Sequence, residues 1–264
     1  MSATGVPPDL REALLAAAAA DRLLVASDYD GCIAPIVSRP EDAAPDPAAI
    51  DALRVAAGLQ DTTAAVVSGR ALDDLVRLSG LSDGSVELVG SHGSEFTTGF
   101  RQPVTDDARA LLERIIAEFR SIAIGVDGVT VEVKPVSTTL HVRNAAPNDA
   151  EVALDRARTG PASWPGVQTT EGKAVIELAV IETSKGHALD LLREQHRSDV
   201  VVYLGDDVTD EKAFAHLRGR DVSIKVGDGD TIATHHVGDP ADVATVLEFV
   251  TAHRREHLAE RASS

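Results

Sequence analysis

Two aspartates one residue apart, Asp28 and Asp30, close the apolar run Leu23–Ala26 and are followed at once by Gly31. Four consecutive apolar residues read as a buried strand of a parallel sheet. Both acids then lie at or just past its carboxyl end, the edge where open α/β sheets bind ligands. With no basic residue beside them in sequence, the two carboxylates repel each other unless a cation joins them. A hard divalent ion such as Mg²⁺ takes oxygen ligands and answers that need. One carboxylate is then free to attack and its neighbour to move a proton. A single Asp-x-Asp-Gly reads equally as a polar turn, so the decision rests on whether further stations of the same chemistry follow.

A second apolar run, Val200–Leu204, repeats the logic: Gly205 is followed by Asp206, Asp207, Asp210 and Glu211 as a helix begins. Helix capping explains one or two of these acids; the set suits metal ligation. Lys185 stands at a loop-to-helix start, where the helix dipole favours anions. A cation there suits the neutralisation of a phosphoryl group, or is simply a solvated lysine. Ser68, followed by Gly69 just past the run Thr63–Val67, offers a hydroxyl and nearby N–H groups to a phosphate oxygen, and is equally an ordinary turn residue.

The elements that must hold these residues follow from periodicity and breakers. Helices are expected over 8–20, 48–59, 71–79, 106–123, 149–158, 185–195, 210–217 and 241–252, the last with a polar tail that extends it. Strands are expected over 23–28, 63–67, 86–89, 129–133, 138–142, 167–170, 174–178, 200–204 and 222–226. Residues 1–7 read as loose, and the proline-rich stretch 38–47 as a surface loop. Strand–helix alternation is interrupted by helix, paired strands, helix and paired strands with antiparallel character. The expected organisation is a discontinuous core, 1–100 with 181–264, and an α/β insert over 101–180 acting as a lid that excludes water.

Composition narrows the class. A chain of 264 residues with 44% hydrophobic and only 3% aromatic residues builds an aliphatic core. A net charge of −17 argues against nucleic acid or an anionic membrane as partner, and means that any phosphate site concentrates positive charge locally. The single cysteine, Cys32, allows no intrachain disulfide. The opening residues lack the basic and apolar regions of a signal peptide, and 13–20 is too short an apolar stretch to span a bilayer, so a cytoplasmic enzyme is expected. Oligomeric state is left open.

Acid pair, serine, lysine and acid cluster come in strand-end order, and the set resembles the haloacid-dehalogenase-like phosphohydrolases. More narrowly, Asp28-Tyr29-Asp30-Gly31, Val67-Ser68-Gly69-Arg70, His92-Gly93-x-Glu95, Lys185-Gly186, Gly205-Asp206-Asp207-x-Thr209-Asp210-Glu211 and Ile224-Lys225-Val226-Gly227 resemble the trehalose-6-phosphate phosphatase family over 23–250, nearly the whole chain. The resemblance implies a doubly wound, mostly parallel, Rossmann-like core sheet with an inserted α/β cap. It implies a Mg²⁺-dependent phosphatase acting on a small sugar phosphate, trehalose 6-phosphate, in trehalose biosynthesis. Asp28 would form an aspartyl-phosphate and Asp30 would serve as general acid and base, with Ser68 and Lys185 on the phosphoryl group. Mg²⁺ would be held by Asp28, the Asp30 carbonyl and Asp206, with Asp207 or Asp210 behind. Arg70, His92, Glu132, Lys134, Arg143 and Glu177 would meet substrate; charged lid strands and a turn-fixing His92 are the plainer readings, and Trp164 is a sugar-stacking ring or part of the insert core.

Cys32 replaces the threonine usual in that family, and Val180 and Ser184 also depart from its pattern. A cysteine-phosphatase reading of Cys32 fails because Arg39 is one residue too distant. Rival readings are a related phosphatase for sucrose phosphate or mannosyl-phosphoglycerate, and a non-catalytic protein that keeps the fold. A dehalogenase has no use for Asp30 as an acid to a leaving alcohol.

Overall fold

Valine- and alanine-rich segments bury both of their faces here, which is why they form the central strands of a parallel sheet rather than alternating surface strands. The computed structural model describes residues 5–172, 174–182 and 184–263. In chain order the elements begin with α1 (Pro8–Ala18), β1 (Leu23–Ser27), α2 (Pro47–Ala57), β2 (Thr62–Val67), α3 (Leu72–Ser79) and β3 (Glu87–Gly90). A short hairpin of β4 (Glu95–Phe96) and β5 (Gly99–Phe100) leads to α4 (Asp106–Ala123), β6 (Thr130–Val133), β7 (Ser137–His141), α5 (Pro147–Thr159), β8 (Gln168–Gly172) and β9 (Val175–Ala179). The chain then runs through α6 (Lys185–His196), β10 (Val200–Gly205), α7 (Val208–Phe214), β11 (Val222–Val226), β12 (His235–Val237) and α8 (Pro240–Ala262).

Two compact units result, one made of the chain up to Gly93 and from Ser184 onward, the other of Ser94–Thr183. In the first, parallel strands follow the order β12-β11-β10-β1-β2-β3. The chain steps one way from β1 and the other way from β10, so the switch point lies between these two neighbours, where doubly wound sheets open a crevice at their carboxyl ends. Leu23, Val25, Val66, Val202 and Leu204 pack in one cluster with α1, α2 and α8, while α6 meets β1 and β2 and α7 meets β10. Each fully buried valine or leucine is worth about 1.5–3 kcal/mol.

The second unit is an antiparallel sheet in the order β6-β7-β9-β8. Its apolar face, with Leu140, Ile176 and Leu178, packs on Leu112, Ile115, Phe119 and Ile122 of α4 and on Ala153 and Ala157 of α5. Trp164 joins that cluster, with the Arg114 guanidinium 4.7 Å from its ring centre; it is a packing residue of this unit.

Several boundaries differ from expectation for local reasons. α7 begins at Val208 and ends at Phe214, not 210–217, because Asp207 and Asp210 form a reciprocal capping box that fixes the start. α8 runs to Ala262, so the polar tail does extend it past 252. Within that extension Arg254, fully buried, donates to the carbonyls of Ala18, Ala20, Asp21 and Asp61 and to Thr62 Oγ1. The guanidinium thereby satisfies carbonyls at the end of α1 and ties the last helix to two loops. β12 and the β4–β5 hairpin are too short to carry a period and have no sequence signal. Of the segment expected to be loose, residues 1–4 lie outside the described residues, whereas Val6 is buried in the core.

Candidate active site

Asp28 is the first residue past β1, and its N–H donates to the Leu204 carbonyl of β10, so the two acid-bearing strand ends are laced together (2.9 Å). Gly31 permits the close approach of the second acid cluster. Its φ is +77°, and a Cβ there would lie 2.1 Å from an Asp206 carboxylate oxygen. Gly205 makes room in the same way, since a Cβ would sit 2.3 Å from the Asp210 side chain. Carboxylate oxygens of Asp28, Asp206 and Asp210 come within 4.8 Å of one another.

Lys185 joins two of these acids. Its ammonium donates to Asp28 Oδ2 at 2.7 Å and to Asp210 Oδ1 at 2.9 Å, with the side chain 1% exposed. The lysine opens α6, whose N-cap Ser184 accepts from the His187 N–H. Tyr203 on β10 donates to the same Asp210 Oδ1 at 2.6 Å, and Asp210 Oδ2 accepts from the N–H groups of Asp206 and Asp207. Four donors fill the lone-pair sites of the Asp210 carboxylate, so its chemistry is to hold Lys185 and the turn at Asp206 and Asp207. Asp207 Oδ1 is spent on capping, accepting from Thr209 N–H, Thr209 Oγ1 and Asp210 N–H. Asp206 differs: its side chain lies against Gly31, between the two loops.

The electrostatics follow from crowding in a buried place. Burial pushes the Asp206 carboxyl up to about 7, Asp210 and Asp207 add to the rise, and Lys185 and Lys225 oppose it. Burial also raises Asp28 well above the usual carboxylate range, against the pull of Lys185. Asp207 is likewise pushed up by burial, but Lys185 and the Thr209 hydrogen bonds outweigh this and hold it below the usual range. Lys185, which burial alone would lower, is held well above the usual lysine value by Asp210 and Asp28.

With all four carboxylates ionised, Asp28, Asp206, Asp207 and Asp210 would exceed the two ammonium groups, Lys185 and Lys225, by two negative charges, which is why burial and mutual repulsion raise Asp28 and Asp206. An all-oxygen donor set with that excess fits one hard divalent cation. Cys32 is no rival: it is fully buried, and burial, then Asp28, push its thiol well up.

Asp30 takes a two-pronged hydrogen bond from Arg70, Nε to Oδ2 at 2.7 Å and Nη2 to Oδ1 at 2.6 Å, and that guanidinium lies 5.4 Å from the Tyr29 ring centre. Arg70 is aimed by the turn after β2, in which Ser68 Oγ accepts from the Arg70 N–H. Ser68 in turn accepts the His92 N–H on its carbonyl. Ser91, His92 and Gly93 all have left-handed backbone (φ 49°, 51° and 94°), a costly run for non-glycine residues. The turn seats His92 so near Gly69 that a Cβ there would lie 2.4 Å from the imidazole, and a Cβ on Gly93 would strike the Ser184 carbonyl at 2.3 Å. The structure therefore brings Asp28, Asp30, Ser68, Arg70, His92, Lys185, Asp206, Asp207 and Asp210 to the carboxyl edge of one sheet.

The other expected residues gather in the second unit. Thr139 pairs with Glu132 on one side and with Glu177 on the other, so all three share one sheet face, opposite the helices. Glu177, 7% exposed, accepts from Lys134 Nζ (2.7 Å), Ser137 Oγ (2.7 Å) and Thr139 Oγ1 (3.1 Å). Glu132 meets His141 Nε2 at 2.8 Å; burial raises its carboxyl, but His141 and Lys134 outweigh this and lower it. Arg143 lies beyond β7 and is exposed.

Two residues escape sequence reasoning as parts of the site. Tyr203 hides inside an apolar strand run, where a buried hydroxyl in need of a partner is the only signal. Lys225 sits in Val-Ser-Ile-Lys-Val, and a lysine within a buried strand is the anomaly that gives it away.

The chain is similar to known proteins along most of its length. The trehalose-phosphatase family model matches residues 26–244. The trehalose-phosphate phosphatase of Mycobacterium ulcerans is 34% identical over 232 residues, 82% of this chain and 58% of that protein, so the chain spans little more than half that relative's length. The trehalose-6-phosphate phosphatase of Escherichia coli is 28% identical over 228 residues, 85% of each protein. The C-terminal domain of C. albicans trehalose-6-phosphate phosphatase superposes with a TM-score of 0.81 at 22% identity, over 94% of this chain and 98% of that one. The shared fold is that of the haloacid-dehalogenase-like hydrolases.

Proposed function

The chain belongs to the trehalose-phosphatase family, and we propose that it hydrolyses trehalose 6-phosphate to trehalose and phosphate through an aspartyl-phosphate on Asp28. The observation that carries this reading is the meeting of Asp28, Lys185, Asp206 and Asp210 at one sheet edge, three acids and the cation that bridges two of them. A carboxylate oxygen of Asp28 attacks phosphorus in line with the departing sugar oxygen, and Asp30 supplies the proton that lets this oxygen leave as an alcohol. Asp30 then takes a proton from the water that hydrolyses the acyl phosphate, and the cycle closes. Lys185 and the Ser68 hydroxyl bind equatorial oxygens, since positioning and charge neutralisation are the main needs of phosphoryl transfer.

Mg²⁺ is assigned to Asp28, Asp206 and the Asp30 main-chain carbonyl, where it would neutralise the charge of the transferring group. Asp210 holds Lys185, and Asp207 fixes the turn. Asp30 has both oxygens on Arg70 in this conformation, so proton transfer requires that fork to open. The guanidinium released in that exchange is suited to the phosphate dianion. The unit Ser94–Thr183 is assigned to substrate selection, since a paired, hydroxyl-rich face around Glu132, Lys134 and Glu177 offers hydrogen bonds to a neutral sugar. A phosphate-release screen across sugar phosphates tests the assignment. Preference for trehalose 6-phosphate supports it; preference for sucrose phosphate or mannosyl-phosphoglycerate moves the substrate within the same chemistry.

A further inference from the structure

Lys225 is the fourth residue of a strand whose five residues are all buried; it is itself 5% exposed. Burying an ammonium is expensive unless it is paired, and the partner here is unusual. Nζ donates to the main-chain carbonyl of Asp206, the residue whose side chain reaches Gly31. The parallel register sets Lys225 directly beside Gly205, on the same face as Tyr203 and Ser223. The turn Gly205–Asp206–Asp207 is consequently held from two directions. Asp210 Oδ2 accepts from the N–H groups of Asp206 and Asp207, and Lys225 Nζ donates to the Asp206 carbonyl. Both anchors hydrogen-bond to the backbone of the turn, which sets the direction in which the Asp206 side chain leaves it.

We propose that Lys225 is a positioning residue for the cation site, fixing the Asp206 main chain so that its carboxylate stays aimed at the divalent ion. The inference rests on the divalent-cation reading of the acid cluster. It has a rival with the opposite sign. If Lys225 served only to offset negative charge, it would repel a bound cation, and its removal would tighten metal binding. If it positions Asp206, its removal loosens binding, by the ten- to hundredfold typical of groups that orient a metal ligand.

The test titrates Mn²⁺, a hard cation suited to oxygen ligands, into the substrate-free protein and reads free Mn²⁺ by electron paramagnetic resonance. Wild type is expected to bind and Asp206→Asn to bind far more weakly; equal binding by these two removes the divalent-cation reading itself. With that reading intact, Lys225→Met is expected to bind about ten- to a hundredfold more weakly. Lys225→Gln, whose side chain is one bond shorter and carries no charge, keeps a polar group at a buried position and is expected to lose affinity as well. Circular dichroism identifies which variants are folded. A folded Lys225 variant that binds Mn²⁺ as tightly as wild type, or more tightly, overturns the proposal and leaves the cation site standing.

Discussion

Each of the two units buries a cluster of charge, and the clusters are built to opposite rules. At the edge of the parallel sheet, Asp28, Asp206, Asp207 and Asp210 outnumber Lys185 and Lys225, and burial drives Asp28 and Asp206 upward. On the antiparallel sheet, Glu177 is matched by Lys134 and two hydroxyls, and Glu132 by His141. An unbalanced buried cluster is unstable without a ligand of the missing sign; a balanced one, each acid paired with side chains of the fold, offers directional hydrogen bonds. The first arrangement suits a cation and a phosphate together, the second a neutral polyhydroxyl group.

If the contrast holds, substitutions in the unbalanced cluster strike turnover hardest. Asp28→Asn is expected to lower kcat at least about a thousandfold, as loss of a nucleophile does, and Asp30→Asn about a hundred- to ten-thousandfold, the usual share of a general acid–base group. Steady-state phosphate release on both variants checks this. Retention of turnover by Asp28→Asn would break the distinction between the units.

The balanced cluster should answer in stability. Lys134→Met leaves Glu177 buried without its cation and is expected to cost about 3–5 kcal/mol, whereas Lys134→Met with Glu177→Met is expected to be close to neutral. The sole tryptophan, Trp164, lies in this unit, so denaturant unfolding followed by its fluorescence reports on the right region. If the double variant is stable yet its KM for the sugar phosphate is unchanged, the cluster is structural only.

The units should also part in their pH dependence. Asp206, with an ordinary value of 3.8 and a folded value of about 7, binds more protons folded than unfolded. Without divalent cation, the stabilising contribution of Asp206 should therefore fall as pH rises from about 4 to about 7 and level off above. Calorimetry should show the Mg²⁺-induced gain in melting temperature growing over that window. Glu132 is shifted down, so its contribution is full above 4.5 and is lost only as pH falls through its lower folded value. Trp164 fluorescence should follow that acid-side loss.

The smallest effect is expected at Cys32. Its Ala variant should keep activity within about twofold and lose about 1 kcal/mol of stability by denaturant unfolding. A large loss of turnover would restore a role for the thiol.

Much of the unbalanced cluster was legible because its chemistry is written locally. Acids, serine and lysine each follow an apolar run or open a helix, and strand ends of a parallel sheet share one edge by topology. Less legible were the groups that act across strands. Tyr203 and Lys225 sit inside apolar runs, and only the register of β10 with β11 shows that they flank Gly205 on one face. The fork between Arg70 and Asp30 spans forty residues of chain, and nothing local encodes it. In the second unit the alternation of Glu132 and Lys134 marked a polar face, but that Glu177 gathers Lys134, Ser137 and Thr139 depends on the pairing of β7 with β9. A helix start failed where a capping box overrode the period, as at Val208.

The most direct measurement is the rate of phosphate release from trehalose 6-phosphate as Mg²⁺ is titrated into protein stripped with a chelator. The arrangement of Asp28, Lys185 and Asp206 predicts no turnover in chelator and full recovery as Mg²⁺ saturates the site. Undiminished turnover in excess chelator would contradict it.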